Sequence, residues 1–359
     1  KKMSQKKIKT ARKKQATTDL HSAAAKTNFH DVFRFHGERP RGSDFHPSST
    51  LFEGRFGRMF RTLPRAEFEE DDLKKLAKAM VAKPEREEPN EQEDDPEENQ
   101  GISAGYTYLG QFIDHDLTYD PASSLQKQND PEALEDFRTP RFDLDCLYGR
   151  GPNDQPYLYV NKEGDPGVHM LLGRALTGNR HGRRNRRTYD LPRYKPLRGG
   201  SARALIGDPR NDENVIVSQL HQIMLRFHNR MVDVMTTPGG KLPDFGVVQN
   251  AVRWHYQWVV LDDFLPTIVG DDPIHAVLPH LKSMKSIRVD KPNLTFFHWE
   301  NLPFMPIEFS AAVYRFGHSM VRPQYRLNTT LRDLHEIFSA KNPENSLVGF
   351  REFPSNFAV

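Results

Sequence analysis

Apolar positions along this chain recur at intervals of three and four in several stretches and rarely alternate, which predicts a mainly α protein with few short strands. The clearest stretch runs from Asp212 to Met235, where Ile216, Leu220, Ile223, Met224, Phe227, Met231 and Val234 form one stripe. Asp212 is the expected N-cap, and Pro238-Gly239-Gly240 supplies the stop. A second long helix is expected over Phe245–Val269, organised around Trp254, Trp258 and Leu261 and ending before Gly270. A shorter one over Ser310–Met320 carries Tyr314, Arg315 and His318. Residues 70–83 put Leu73, Leu76, Ala77 and Met80 on one side, and residues 102–117 do the same with Ile102, Tyr106, Leu109, Phe112 and Ile113. Residues 157–171 offer a short strand pair at most, and the sequence has no internal repeat.

Between these elements the chain is irregular. Twenty-six Pro and 23 Gly in 359 residues call for many turns. Residues 1–28 read as a basic flexible arm, with Lys1, Lys2, Lys6, Lys7, Lys9, Arg12, Lys13 and Lys14 among few apolar partners. Residues 29–64 alternate aromatics with Arg, Gly and Pro, as an irregular wrapping segment would. Their histidines (His30, His36, His46) lack ligand-like spacing. Glu85–Asn99 is an acidic, solvated loop, and Arg180–Arg198 a basic one expected to pair with it at the surface.

Charge narrows the function classes. Fifty-one basic residues nearly offset 48 acidic ones, and a net charge of +3 argues against a dedicated nucleic-acid binder. The single cysteine, Cys146, excludes an intrachain disulfide framework and a cysteine-rich zinc site. It points to a reducing compartment or a bacterial origin. No apolar run reaches the roughly 18 residues of a membrane-spanning helix, so a soluble protein, cytoplasmic or secreted, is expected.

The candidate chemistry begins at Gly110-Gln111-Phe112-Ile113-Asp114-His115-Asp116. On a helix Gln111 and His115 lie one turn apart with Asp114 beside them, whereas Asp116 is about 100° further round. Two more pairs share a face at i,i+3: Arg210/Glu213 and Arg315/His318. A histidine between two acids also suits a salt-bridged helix surface. Spacing alone does not bring the three faces together.

These motifs resemble the animal-type haem peroxidases of the peroxidase–cyclooxygenase superfamily. The resemblance rests on Gly110–Asp116, on Gly207-Asp208-Pro209-Arg210-Asn211-Asp212-Glu213 and on Arg315-Phe316-Gly317-His318, in that order. Leu225-Arg226-Phe227-His228-Asn229-Arg230 and Asp262-Asp263-Phe264-Leu265-Pro266 match the helical core. It covers about residues 100–325 and implies a mainly α haem peroxidase domain over 29–359. The resemblance implies His115 as the distal base, suited by a pKa near working pH, with Arg210 as the distal cation and Gln111 as a hydrogen-bond partner in the pocket. It makes His318 the proximal ligand of the haem iron and places Arg315 near a haem propionate. Asp114 and Glu213 match the carboxylates that form ester links to haem b. Where some members carry a methionine sulfonium link, this chain has Asn214. Asp116 matches a calcium ligand, completed by Thr139, the Arg141 carbonyl, Asp143 and Asp145, since Ca2+ takes six to eight oxygens. A hydroxyl is usual at the last position.

The implied partners are hydrogen peroxide and a halide, pseudohalide or small phenolic donor. A haem fatty-acid dioxygenase or cyclooxygenase-like activity is the alternative. Those enzymes place a tyrosine three residues before the proximal histidine, where this chain has Arg315. A non-enzymatic polyanion-binding role for the basic segments is a third reading. The family's proximal asparagine lies well beyond the proximal histidine, and only 41 residues follow His318 here. A second chain or fragment completing that side is therefore expected. The near absence of cysteine is unlike secreted animal members and favours a bacterial relative.

Overall fold

The computed structural model describes residues 54–64, 66–81, 99, 101–119, 135–136, 138–176, 189–195, 197–282, 292–297, 303–325, 327, 335–336, 347 and 349. The basic arm, the wrapping segment before residue 54, most of the acidic loop and Arg180–Arg187 lie outside them.

Helices dominate. Those before residue 260 are, in chain order and among the described residues, α1 (Glu70–Ala79), α2 (Gly105–Leu117), the single turn α3 (Asp145–Tyr148), α4 (Val215–Met235) and α5 (Phe245–Val259), and two short helices follow at Leu265–Val269 and Asp271–Val277. Strands are short. β1 (Gly54–Gly57) pairs antiparallel with β2 (Glu135–Asp136) and parallel with β7 (Met305–Pro306). β3 (Tyr159–Lys162) and β4 (Asp165–Met170) make the expected antiparallel hairpin. β5 (Arg193–Tyr194) pairs with β6 (Arg203–Ala204), and β8 (Gln324–Tyr325) with β9 (His335–Glu336). The core lies where α2, α3, α4, α5 and the β3–β4 hairpin meet, around Phe112, Leu147, Tyr148, Leu225, Val232 and Val252.

The two long helices form where periodicity placed them but bury different stripes. Helix α4 buries Ser218, His221, Leu225, His228 and Val232, while Ile223 and Val234 are exposed. Helix α5 buries Val248, Val252, Arg253 and Tyr256, and leaves Trp254 68% and Trp258 48% exposed. A hydrophobic stripe marks the core face only when that face is apolar, and here both inner faces carry polar side chains with partners. Helix α1 buries nothing among its predicted apolar side chains. The N-cap of α4 is Asn214, not Asp212: the Asn214 side chain accepts from the amides of Ile216 (3.1 Å) and Val217 (2.9 Å).

Beyond α5 the chain stays helical to Val269 but passes through a π turn at Val260–Phe264. Pro266 has no N–H to offer its preceding turn, and the wider turn absorbs that loss. A π turn at Glu308–Val313 also leads into a 3-10 turn at Tyr314–Met320, where a regular helix was expected.

His228 shows why the inner face of α4 is polar. Its Nε2 donates to the Val168 carbonyl (2.8 Å), and Nδ1 lies 3.0 Å from the Tyr148 hydroxyl, so it clamps α4 to the hairpin and to α3. Burial pushes its pKa down to about 4. The unfolded chain then binds more protons than the folded one between pH 6.5 and 4. The contribution is full above 6.5 and falls by about 3 kcal/mol as pH drops through that window. Denaturant midpoints at pH 7 and pH 5 should differ less for His228→Gln than for the wild type. An equal difference would remove His228 as the cause.

Candidate functional site

Helix α2 enters the core with its second half. Tyr108, Gly110, Phe112, Ile113, His115, Asp116 and Leu117 are buried on it, and Gln111 and Asp114 half-buried. Gly110 sits under Phe264 and Tyr314, whose hydroxyl donates to the Gly110 carbonyl at 2.7 Å. That bond ties α2 to the turn carrying His318.

Opposite α2 lies a 3-10 turn at Pro209–Asp212, started by Asp208, whose carboxylate accepts from the Arg210 amide. Gly207 lets this segment touch α3: a Cβ there would stand 2.5 Å from the Cys146 carbonyl oxygen. On its outer side the Val215 amide donates to the Leu347 carbonyl and the Gly349 amide to the Glu213 carbonyl, both at 2.8 Å. A Cβ on Gly349 would collide with the Asp212 carbonyl.

Arg193 is not part of a surface basic loop. Its side chain is 5% exposed and forms a two-pronged pair with Asp212 (2.7 and 2.8 Å) while also binding Asp190. Those carboxylates raise its pKa further and fix the Pro209–Asp212 turn from behind. Its carboxylate partners among the described residues include two aspartates close to it in the fold, and the acidic run expected as its partner lies almost wholly outside the described residues.

His115 is 4% exposed, and burial with the nearby Arg210 charge lowers its pKa to about 4, so the ring is neutral at working pH. Its Nδ1 lies 2.7 Å from Asn211 Oδ1, and no hydrogen bond engages Nε2 among the described residues. Gln111 joins the same face: its amide donates to Glu213 Oε1 and accepts from Asn214 Nδ2 (3.2 Å). Burial raises the Glu213 pKa, opposed chiefly by its hydrogen bond from Gln111 and by the Arg210 charge. Asp114 accepts from the Thr118 hydroxyl at 3.1 Å.

Arg210 makes a fork to Asp208 (3.1 and 2.8 Å) and donates to the carbonyls of His115 (3.2 Å) and Thr118. Asp208 is shared with the buried Arg138 (2.7 Å), and both guanidiniums stack on the Tyr119 ring, at 5.1 and 4.8 Å. These cations hold the Asp208 carboxyl well below the usual range although burial opposes them. Arg138, Asp208 and Tyr119 had no signal in periodicity, because the three meet only in the fold.

His318 is exposed, and its Nδ1 faces the Arg315 carbonyl of its own turn at 3.0 Å. That bond puts the proton on Nδ1 and leaves Nε2 as the outward donor atom, the tautomer an iron ligand needs. Arg315 is exposed and donates to the Ser310 carbonyl. The donor set fits a haem: a histidine with a bare Nε2, a buried neutral histidine on α2, and the half-buried Glu213 carboxyl hydrogen-bonded to Gln111 of the same helix.

Asp116 points away from that face, as the helical geometry requires. It is fully buried, with Oδ2 accepting from the Leu144 amide at 3.1 Å. Leu144 adopts a left-handed φ of 60°, which brings that amide inward. Thr139 donates to Asp143 at 2.6 Å, and all four candidate side chains (Asp116, Thr139, Asp143, Asp145) are buried, with Arg141 exposed. Helix α5 braces the loop through Arg253 and Gln257, which donate to the carbonyls of Asp143 and Phe142. Among the described residues no three acidic, His or Cys side chains already form a closed metal cage. One oxygen each of Asp116, Asp143 and Asp145 is nevertheless buried without a hydrogen-bond partner among the described residues. Burial pushes the Asp116 carboxyl up to about 7 and raises Asp143 and Asp145, with mutual repulsion adding at Asp116 and Asp143. A divalent cation would satisfy those oxygens and reverse the repulsion, so the donor set fits calcium.

The family model for animal haem peroxidases matches residues 138–346, and the chain belongs to that family. A human protein described as probable oxidoreductase PXDNL is 29% identical over 136 residues, covering 37% of this chain and 8% of its own length. Chorion peroxidase of Aedes aegypti is 26% identical over 136 residues, 37% of this chain and 16% of its own. The chain thus aligns with less than a fifth of each of these two relatives. Peroxidase A of Dictyostelium discoideum superposes with a TM-score of 0.45 at 14% identity, covering 79% of this chain and 58% of that one. No helix among the described residues is long and apolar enough to cross a membrane.

Proposed function

We propose that this chain is the catalytic part of a haem peroxidase that reduces hydrogen peroxide and oxidises a halide, pseudohalide or small organic donor. One observation carries the reading: His115, buried and neutral, keeps Nε2 unengaged on a helix locked by Tyr314 to the turn that bears His318. His318 would hold the haem through Nε2, and the bound group supplies the iron that takes oxidising equivalents from peroxide. His115 Nε2 accepts the peroxide proton and returns it to the departing oxygen, which a neutral imidazole does without first losing a proton. Arg210 keeps a fixed positive charge behind that histidine, stabilises charge that develops as the O–O bond breaks, and holds the end of α2 by its carbonyls. Gln111 is held by Glu213 and Asn214, ready to hydrogen-bond a small molecule beside His115.

Asp114 and Glu213 are the carboxylates proposed for ester links to haem b. Asp116, Thr139, the Arg141 carbonyl, Asp143 and Asp145 are proposed to hold Ca2+. The exposure of Arg315, Phe316 and His318 supports a further segment or second chain over the proximal side. A bacterial relative is part of the same reading, supported by the lone Cys146.

The test is to load the purified chain with haem, record its Soret band, and compare two activities. Peroxide-dependent oxidation of guaiacol or bromide is expected. Oxygen uptake with linoleate in its place would transfer the chain to the dioxygenase reading, and failure to bind haem would reject both.

A further inference from the structure

Asn211 sits between two buried histidines that lie 106 residues apart in sequence order as His115 and His221. All three are almost sealed from solvent, at 4%, 0% and 0% exposure. Oδ1 of Asn211 is 2.7 Å from His115 Nδ1, and its Nδ2 is 3.0 Å from His221 Nδ1. We infer that Asn211 is a positioning residue that holds His115 in the Nδ1–H tautomer, and that His221 sets which way the Asn211 amide points. This deepens the peroxidase reading and rests on it for its kinetic consequence.

The chemistry of the donors decides the tautomer. An amide oxygen only accepts, so His115 Nδ1 must carry the proton and Nε2 is left with its lone pair. An amide nitrogen only donates, so His221 Nδ1 is bare and its proton sits on Nε2. The reverse amide orientation would place the proton on His115 Nε2 and remove the base. In the structure the nitrogen side of the amide faces His221 Nδ1, which accepts when the His221 proton sits on Nε2. His221 is buried deeply enough to stay neutral, its pKa lowered to about 3 by desolvation. Its ring packs against Phe112, with centroids 6.1 Å apart, and its Nε2 reaches no partner among the described residues. The turn Pro209–Asp212 therefore delivers two things to the site from adjacent residues: the Arg210 charge and the lock on the His115 ring.

The tautomer is measurable without activity. In the chain labelled with 15N-histidine, long-range 1H–15N correlation should show His115 with a protonated Nδ1 and a bare Nε2, assigned by the signals lost in His115→Gln. A bare Nδ1 overturns the inference. In the haem-loaded protein, Asn211→Leu should lower the bimolecular rate with hydrogen peroxide by about 100-fold with the Soret band unchanged. Asn211→Asp, which still accepts from Nδ1, should stay within about tenfold of the wild type. If Asn211→Leu does not fold, His221→Phe frees the amide to rotate and should give mixed tautomers at His115. Equal rates for Asn211→Leu and the wild type overturn the inference. The expected tautomer in a chain that turns over no peroxide supports the lock while rejecting the function, so the two failures are separable.

Discussion

A His115→Leu chain should keep its haem absorbance and lose about 10³-fold of its rate with hydrogen peroxide. The expectation follows from where the imidazole sits. Burial and the Arg210 charge keep it neutral, and Asn211 occupies one of its two ring nitrogens, so a single atom is free to move a proton. Leucine fills the space and cannot do so. The same change leaves the buried Asn211 oxygen without a donor, at a cost of about 1–3 kcal/mol in stability. His115→Gln can retain a donor toward Asn211 while removing the imidazole, and so separates the two effects. A His115→Leu rate within tenfold of the wild type would mean that the proton moves through another group.

Asp116→Asn should abolish stabilisation of the chain by calcium. For the wild type, calcium at 1,000 times its dissociation constant adds about 4 kcal/mol. Asparagine keeps an oxygen for the Leu144 amide but removes one of three carboxylates whose free oxygens are buried together. In the chelated protein the substitution also relieves repulsion with Asp145, so the calcium-dependent difference in midpoint is the informative quantity. A variant that gains as much from calcium as the wild type rejects Asp116 as a ligand. Asp116 adjoins His115 on one helix, so loss of the cation should also lower haem content or peroxide turnover. Normal values of both would show that the two faces of α2 act independently.

Much of this was legible before folding. The periodicity of α2, α4 and α5 placed the helices, because a 3.6-residue repeat is a local property of the chain. The shape of α2 alone separated Gln111, Asp114 and His115 from Asp116, since 100° per residue leaves no choice. The family resemblance pointed to Arg210, Glu213 and His318 as candidates, and the match over residues 138–346 shows the family. Which face of each helix is buried departs from the hydrophobic stripe, as the exposed Trp254 and Trp258 show. Periodicity ranks faces by hydrophobicity, whereas α4 and α5 turn polar faces inward to meet partners from distant loops.

The helical class, the helix positions and the motif order were thus already legible in the sequence, and the family resemblance named the candidates for haem chemistry. Only the tertiary structure decided how they are held: Asn211 between His115 and His221, Arg210 forked on Asp208, Arg193 buried against Asp212, and Asn214 capping α4. The physical reason is common to all four. Each is a hydrogen bond or ion pair of one polar group with a specific partner, and such pairs depend on distance and direction rather than on any repeat along the chain. Hydrophobic burial is non-directional and leaves a periodic trace, whereas a polar contact leaves none until the fold has set its geometry.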